Sequence, residues 1–127
     1  MRITLLIVAV VAAGLLATAS PMSAHHAWQL DRSRLLNVKG TVTSFAFSNP
    51  HVQIYFDVKD ANGNIENWSA GGASPNRLSR SGWTRETLKP GDEVAVTGYR
   101  SRNGSNVLRF DSVALADGQP IGGYRAR

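Results

Sequence analysis

Apolar and polar residues alternate with period two through most of the chain beyond residue 37, the pattern of strands that turn one face to a core. Val38 and Val42 share one face of the segment Val38–Thr43. Phe45 and Phe47 then fall on the opposite parity, which predicts a bulge or bend near Ser44 in a long, curved first strand. Ser48-Asn49-Pro50 reads as a turn, and the segment from His51 to Val58 follows with Val52, Ile54, Phe56 and Val58 facing inward. His51, Gln53, Tyr55 and Asp57 therefore form a polar row on the other face of that second strand. Asn62-Gly63 is a hairpin signal that leads into a third strand, Ile65 to Ala70.

The period then changes. Ser74 is a good N-cap, Pro75 fits the first helical position, Leu78 supplies an apolar contact and Gly82 ends the turn, so one short helix is expected here. Trp83 to Leu88 offers a further helical turn capped by Thr84, and Lys89-Pro90-Gly91-Asp92 forms a tight turn. Glu93 to Tyr99 is a fourth strand. Val107 to Leu115 is a fifth, with an apolar parity that slips between Phe110 and Val113. The order β-β-β-α-β-β predicts an all-β fold with one short helix, a small five-stranded Greek-key barrel of the OB type. An open antiparallel sandwich of the same strands is the competing architecture.

The first segment is read as targeting, not fold. Arg2 precedes an almost wholly apolar run from Thr4 to Ala17, followed by small residues and Pro21, as in a secretory signal peptide. The run is shorter than the roughly 20 apolar residues of a bilayer span. Cleavage is expected after Ala24, with Ala19 as the alternative, which places the protein in the periplasm or outside the cell without a membrane span. The expected organisation is a signal peptide at 1–24, an N-terminal extension at 25–37, the barrel at 38–116 and a loose tail at 117–127.

Composition narrows the chemistry. The 127 residues contain no Cys, which removes disulfides, thiolate metal sites and a cysteine nucleophile. The net charge of +5 comes from basic residues that are scattered and interrupted by acids. Such a distribution suits a solvated surface or contact with anionic envelope material better than a nucleic-acid stripe, so no nucleic acid is expected as a partner.

Several strings carry a family resemblance: His25-His26, Gly40-Thr41-Val42-Thr43, Asn49-Pro50-His51-Val52, Gly71-Gly72-Ala73-Ser74-Pro75-Asn76, Arg80-Ser81-Gly82-Trp83-Thr84 and Leu88-Lys89-Pro90-Gly91-Asp92. Together they resemble the exported bacterial family catalogued as domain of unknown function 6152, over nearly the whole mature chain. The resemblance implies an envelope location and domain boundaries, and it supplies no catalytic residues. The histidine pair is there usually followed by Ser, where this chain has Ala27.

All three histidines fall at two places, His25-His26 at the expected mature start and His51 after the Asn-Pro turn. A free N-terminal His offers its amine and a ring nitrogen to one ion, and a second imidazole completes a three-nitrogen set that suits copper. His51 is the candidate for that imidazole, and Gln53, Tyr55 or Asp57 are alternative partners on the same face. The plainer reading makes His25 and His26 solvent-exposed polar residues and His51 a turn-closing side chain. No catalytic set stands out: Ser69, Ser74, Ser79 and Ser81 lack a nucleophile elbow, the acids are dispersed, and Gly71-Gly72-Ala73-Ser74-Pro75 lacks the lysine of a phosphate loop. Trp28, Trp68 and Trp83 are either core plugs or a stacking surface. Two functions follow. One is a non-enzymatic envelope module that binds a small ligand, glycan or envelope protein through Gln53, Tyr55, Asp57, Tyr99 and Arg109. The other is a copper-binding protein built on His25, His26 and His51.

Overall fold

A computed structural model describes residues 28–125. Five strands and one helix follow in the order β1 (Leu30–Ala46), β2 (Gln53–Lys59), β3 (Ile65–Gly71), α1 (Pro75–Ser79), β4 (Glu93–Ser101) and β5 (Val107–Leu115). The sheet closes in the cyclic order β1-β2-β3-β5-β4, so the open sandwich is excluded and the OB-like barrel stands. All neighbouring strands are antiparallel except β3 and β5, which pair in parallel through Ser69–Val107, Ala70–Leu108 and Gly71–Arg109. The β3–β5 seam that closes the barrel joins three residue pairs.

β1 is long enough to pair with β2 through its second half and with β4 through its first. It changes partner near Thr41, which faces Asp57 on one side and Glu93 on the other. The bulge expected near Ser44 is present: Val42 opposes Phe56 and Ser44 opposes Tyr55, which leaves Thr43 as the extra residue. It turns Phe45 and Phe47 back onto the core. The parity slip in β5 has the same cause, since Thr97 opposes Ser112 and Gly98 opposes Phe110, with Asp111 unmatched.

The interior is filled by alternate residues of every strand, Val42, Ile54, Phe56, Ala70, Val96, Leu108, Phe110 and Val113 among them. α1 plugs one end with Leu78, and the Ser74 hydroxyl accepts a hydrogen bond from the Arg77 amide as its N-cap. Residues 83–88 form a turn and not a helix. Thr84 still organises it, because its amide donates to the Thr87 hydroxyl at 2.7 Å and its own hydroxyl accepts from the Glu86 amide at 3.2 Å. The Asn49–Pro50 peptide bond is cis.

Two boundaries differ from the sequence reading. β1 starts at Leu30 and not at Val38, so part of the expected extension belongs to the barrel. The alternation is hidden there because Leu30 opposes Ser101 and Leu35 opposes Tyr99, so the polar residues between them loop out of the ladder. The residues after the barrel are also not loose within the described chain. The Ile121 amide donates to the Val113 carbonyl at 2.8 Å, Pro120 bridges to Ala114, and Tyr124, only 6 % exposed, packs edge-on against Phe110. The two apolar anchors, Ile121 and Tyr124, are masked in the sequence by the glycines around them.

Candidate functional site

The register places three of the expected ligand residues on one transverse row of the outer wall. Gln53 of β2 opposes Gly71 of β3, Gly71 opposes Arg109 of β5, and Arg109 opposes Tyr99 of β4. Their inward neighbours Ile54, Ala70, Phe110 and Leu108 are buried, so the row itself faces out.

Trp28 lies across this row. Gly71 is the reason it can: a Cβ at that position would collide with Cη2 and Cζ2 of Trp28, so the indole rests on bare backbone. The Arg109 guanidinium sits 5.9 Å from the indole centroid and donates from Nη1 to the Gly71 carbonyl at 3.4 Å. His51 meets Trp28 edge to face, with ring centroids 6.3 Å apart. On the far side of Arg109, the Arg32 guanidinium stands 5.7 Å from the Tyr99 ring centroid. Side chains thus follow one another along the wall in the order Arg32, Tyr99, Arg109, Trp28, His51, two cation–ring pairs and then a ring–ring contact. Trp28, His51, Gln53, Tyr99 and Arg109 are all half-buried, as befits a shallow, ordered surface.

The His51 Nδ1 atom is buried and has no hydrogen-bond partner. That is the one unsatisfied polar atom on this wall among the described residues, and such an atom carries a desolvation cost until something bonds it. His25 and His26 lie outside the described residues. Among the described residues no three His, Asp or Glu side chains come together to hold a metal ion.

Two expected members of the surface lie elsewhere. Tyr55, 45 % exposed, is one row further along β2 opposite Ser69. Asp57 is further still, accepts a hydrogen bond from Asn67 Nδ2 at 2.7 Å, and lines an open groove of about 670 Å³ with Lys39, Lys59, Ile65 and Glu93. Alternation alone put Gln53, Tyr55 and Asp57 on one face, but they are spread over the length of the strand.

The other two tryptophans are structural. Trp83 is buried and stacked on Phe110, while Trp68 packs on Phe56 inside the barrel. Trp28, Gly71 and Arg32 are the contributors that alternation does not reveal. For Gly71 the signal is its place at the end of a strand, where a missing side chain often marks close approach by another group.

Asp31 is the acid beside Arg32 on β1. Its carboxylate accepts from both the hydroxyl and the amide of Ser33, which hold its pKa below the ordinary carboxylate value, with smaller contributions from Arg102 and Arg34. It stays ionised, turned onto its own loop.

Among solved structures, the chain is similar to TiaS in its complex with a transfer RNA and ATP, with 16% identity, a TM-score of 0.45, and coverage of 72% of this chain and 20% of that one. It is also similar to a small single-stranded DNA-binding protein from Streptomyces coelicolor, with 16% identity, a TM-score of 0.47, and coverage of 65% of this chain and 90% of that one. The chain spans about a fifth of the TiaS chain. No curated protein matches it. The model of a family described as a family of unknown function, DUF6152, matches residues 11–108.

Proposed function

Since the chain belongs to the family of unknown function DUF6152, it inherits no activity with its fold, and we propose from the outer wall that it is a non-enzymatic binding module of the bacterial envelope. The observation that carries this reading is the docked Trp28, held on Gly71 between Arg109 and His51. An indole fixed by packing, with a guanidinium, an amide and a phenol beside it, is a pre-organised binding surface that loses little entropy when a ligand arrives. The same wall holds no nucleophile–base pair and no paired carboxylates among the described residues, so recognition accounts for it better than catalysis. A signal peptide at 1–24 would deliver the barrel to that compartment, and among the described residues no helix is long and apolar enough to cross a membrane.

The test is co-sedimentation of the mature protein with purified envelope fragments. Wild type is expected to pellet with them, while Trp28→Ala and Tyr99→Ala each reduce the bound fraction by about tenfold with unchanged far-UV circular dichroism, as for other aromatic anchors. Equal pelleting of all three proteins would overturn the assignment of the site.

A second reading, copper binding, is favoured by the unpartnered Nδ1 of His51. His51 packs against Trp28, which follows His25-His26 by two residues in the sequence. If cleavage follows Ala24, the amine and imidazole of His25, with His26 or His51, make a nitrogen set suited to copper. Native intact-mass spectrometry of the exported protein with added copper is expected to give a species starting at His25 that retains one ion and loses it in His51→Ala. A start at Ser20, or no retained copper, would sink the metal reading.

A further inference from the structure

The three arginines that stand beside rings, Arg32, Arg100 and Arg109, divide into two kinds. Arg100 lies 5.0 Å from the Trp68 ring centroid, but its donors are already used within the β4–β5 loop, on the carbonyls of Ser105 at 2.8 Å and Gly104 at 2.7 Å and on Asn106 Oδ1 at 2.7 Å. It is a clasp for that loop. Arg109 and Arg32 are placed differently. Arg109 directs one N–H to the Gly71 carbonyl at a long 3.4 Å, and Arg32 is exposed at the tip of the loop-out in β1. A guanidinium carries five N–H donors in a planar fork that matches carboxylate, sulfate or phosphate oxygens. A guanidinium that spends few of its donors on the protein keeps the rest of the fork for a ligand.

We propose that the outer wall takes an anionic polysaccharide, reading successive charged groups along the chain with Arg109 and Arg32. This rests on the binding-module reading and names its ligand class. Arg109 on β5 opposes Tyr99 on β4, and Tyr99 opposes Leu35 on β1, three residues from Arg32. Two strand spacings of ~4.8 Å each separate the strands that carry the two arginines, about 10 Å between their backbones before the three-residue offset of Arg32 along β1. A polymer with charges repeated along its length can engage both forks where they stand, each on its own ring. The carboxylate next to Arg32 in sequence, Asp31, bonds its own Ser33, and Asp111 on β5 is the acid that flanks Arg109. Gln53 extends the row at its other end with an uncharged amide suited to hydroxyl groups.

The occupied ring faces favour a polysaccharide over single-stranded nucleic acid. Trp28 rests on Gly71 and carries Arg109, and Tyr99 carries Arg32. Base recognition without sequence preference relies on open aromatic faces for stacking. Here each ring already has a guanidinium beside it, and the arginines bring unspent N–H donors to the same wall.

The experiment measures binding of the mature chain to polygalacturonate, to neutral dextran and to oligo(dT) by affinity electrophoresis. Polygalacturonate is expected to retard the protein, and the effect is expected to fall steeply between about 0.05 M and about 0.5 M NaCl as screening grows. Arg32→Ala/Arg109→Ala should weaken binding at least about tenfold, since it removes two charge-assisted contacts. Arg77→Ala/Arg80→Ala removes the same net charge from exposed positions around α1 and should leave affinity within about twofold. Equal losses in the two double variants would show mere charge attraction and overturn the proposal, as would equal affinity for dextran or tighter binding to oligo(dT). If envelope co-sedimentation still depends on Trp28 while polygalacturonate has no effect, this inference fails and the binding-module reading survives. If Trp28 is dispensable there, the reading itself fails.

Discussion

Trp83→Ala is expected to lower the thermal midpoint of the barrel by roughly 15–30 °C, the largest stability effect of any single truncation in the core. Trp83 is 1 % exposed and is the largest fully buried side chain. Its ring stacks on Phe110 at 5.7 Å with planes 11° apart and leans on Phe45 at 6.2 Å. Its Nε1 donates to the Ile121 carbonyl at 3.2 Å, which ties the chain after β5 to the loop before β4. Truncation removes all of this at once: an aromatic volume that the neighbours cannot refill, and a hydrogen-bond donor whose loss strands a carbonyl. Removing a buried Trp typically costs about 3–5 kcal/mol, and in a domain of this size each kcal/mol moves the midpoint by roughly 4–8 °C. Circular dichroism melts of the mature protein measure it. A shift under about 5 °C would mean that the residues after β5 do not seal this end of the barrel.

The sheet is legible because its rule is local. Period-two alternation in Val52–Val58 and Glu93–Tyr99, together with the Asn62-Gly63 turn and the Ser74-Pro75 helix start, is encoded by neighbours in sequence and survives closure of the barrel. Even the two bulges leave a trace, as changes of parity at Phe45 and after Phe110. Order imposed from a distance leaves none. The segment from Asp31 to Arg34 is polar and unpatterned, yet it belongs to β1 because Leu30 and Leu35 both find partners on β4. Ile121 and Tyr124 sit among glycines and are fixed by Val113 and Phe110, residues on another element.

The candidate site shows the same division. Gln53, Tyr99 and Arg109 are readable from the sequence as outward polar residues, and strand register then sets them in one row. Alternation carries no information on height along a strand, so it groups Asp57 with them although that residue lies in the groove with Lys59 and Glu93. Trp28 precedes every strand and has no periodic context. Its place is decided by a missing side chain on β3, where the sequence marks a close approach but only the folded sheet reveals that Trp28 makes it. The cluster is therefore a tertiary product, and it can be dismantled without touching the core that carries it.

That separation makes a sharp prediction from two glycines that look equivalent in sequence, each at a barrel strand and each in close contact. Gly71→Val is expected to leave the barrel folded and to reduce envelope binding at least about tenfold, while Gly98→Ala is expected to destabilise the fold by about 3 kcal/mol. The difference lies in what the new Cβ meets. At Gly98 it would collide with the Arg109 carbonyl and crowd the Phe110 Cα, which are backbone atoms of the paired strand beside the bulge. They cannot move without breaking the β4–β5 ladder, so the strain is retained. At Gly71 the new atoms would collide with the outer ring carbons of Trp28, the far end of a side chain that can swing away. The cost there is the lost indole contact and the loosening of Arg109 and His51, both of which lean on that ring. Urea unfolding and co-sedimentation measured on both variants separate the outcomes. If Gly71→Val keeps full binding, Trp28 is not the anchor of the site. If Gly98→Ala is as stable as wild type, the β4–β5 pairing tolerates a displacement that the closed barrel does not otherwise allow.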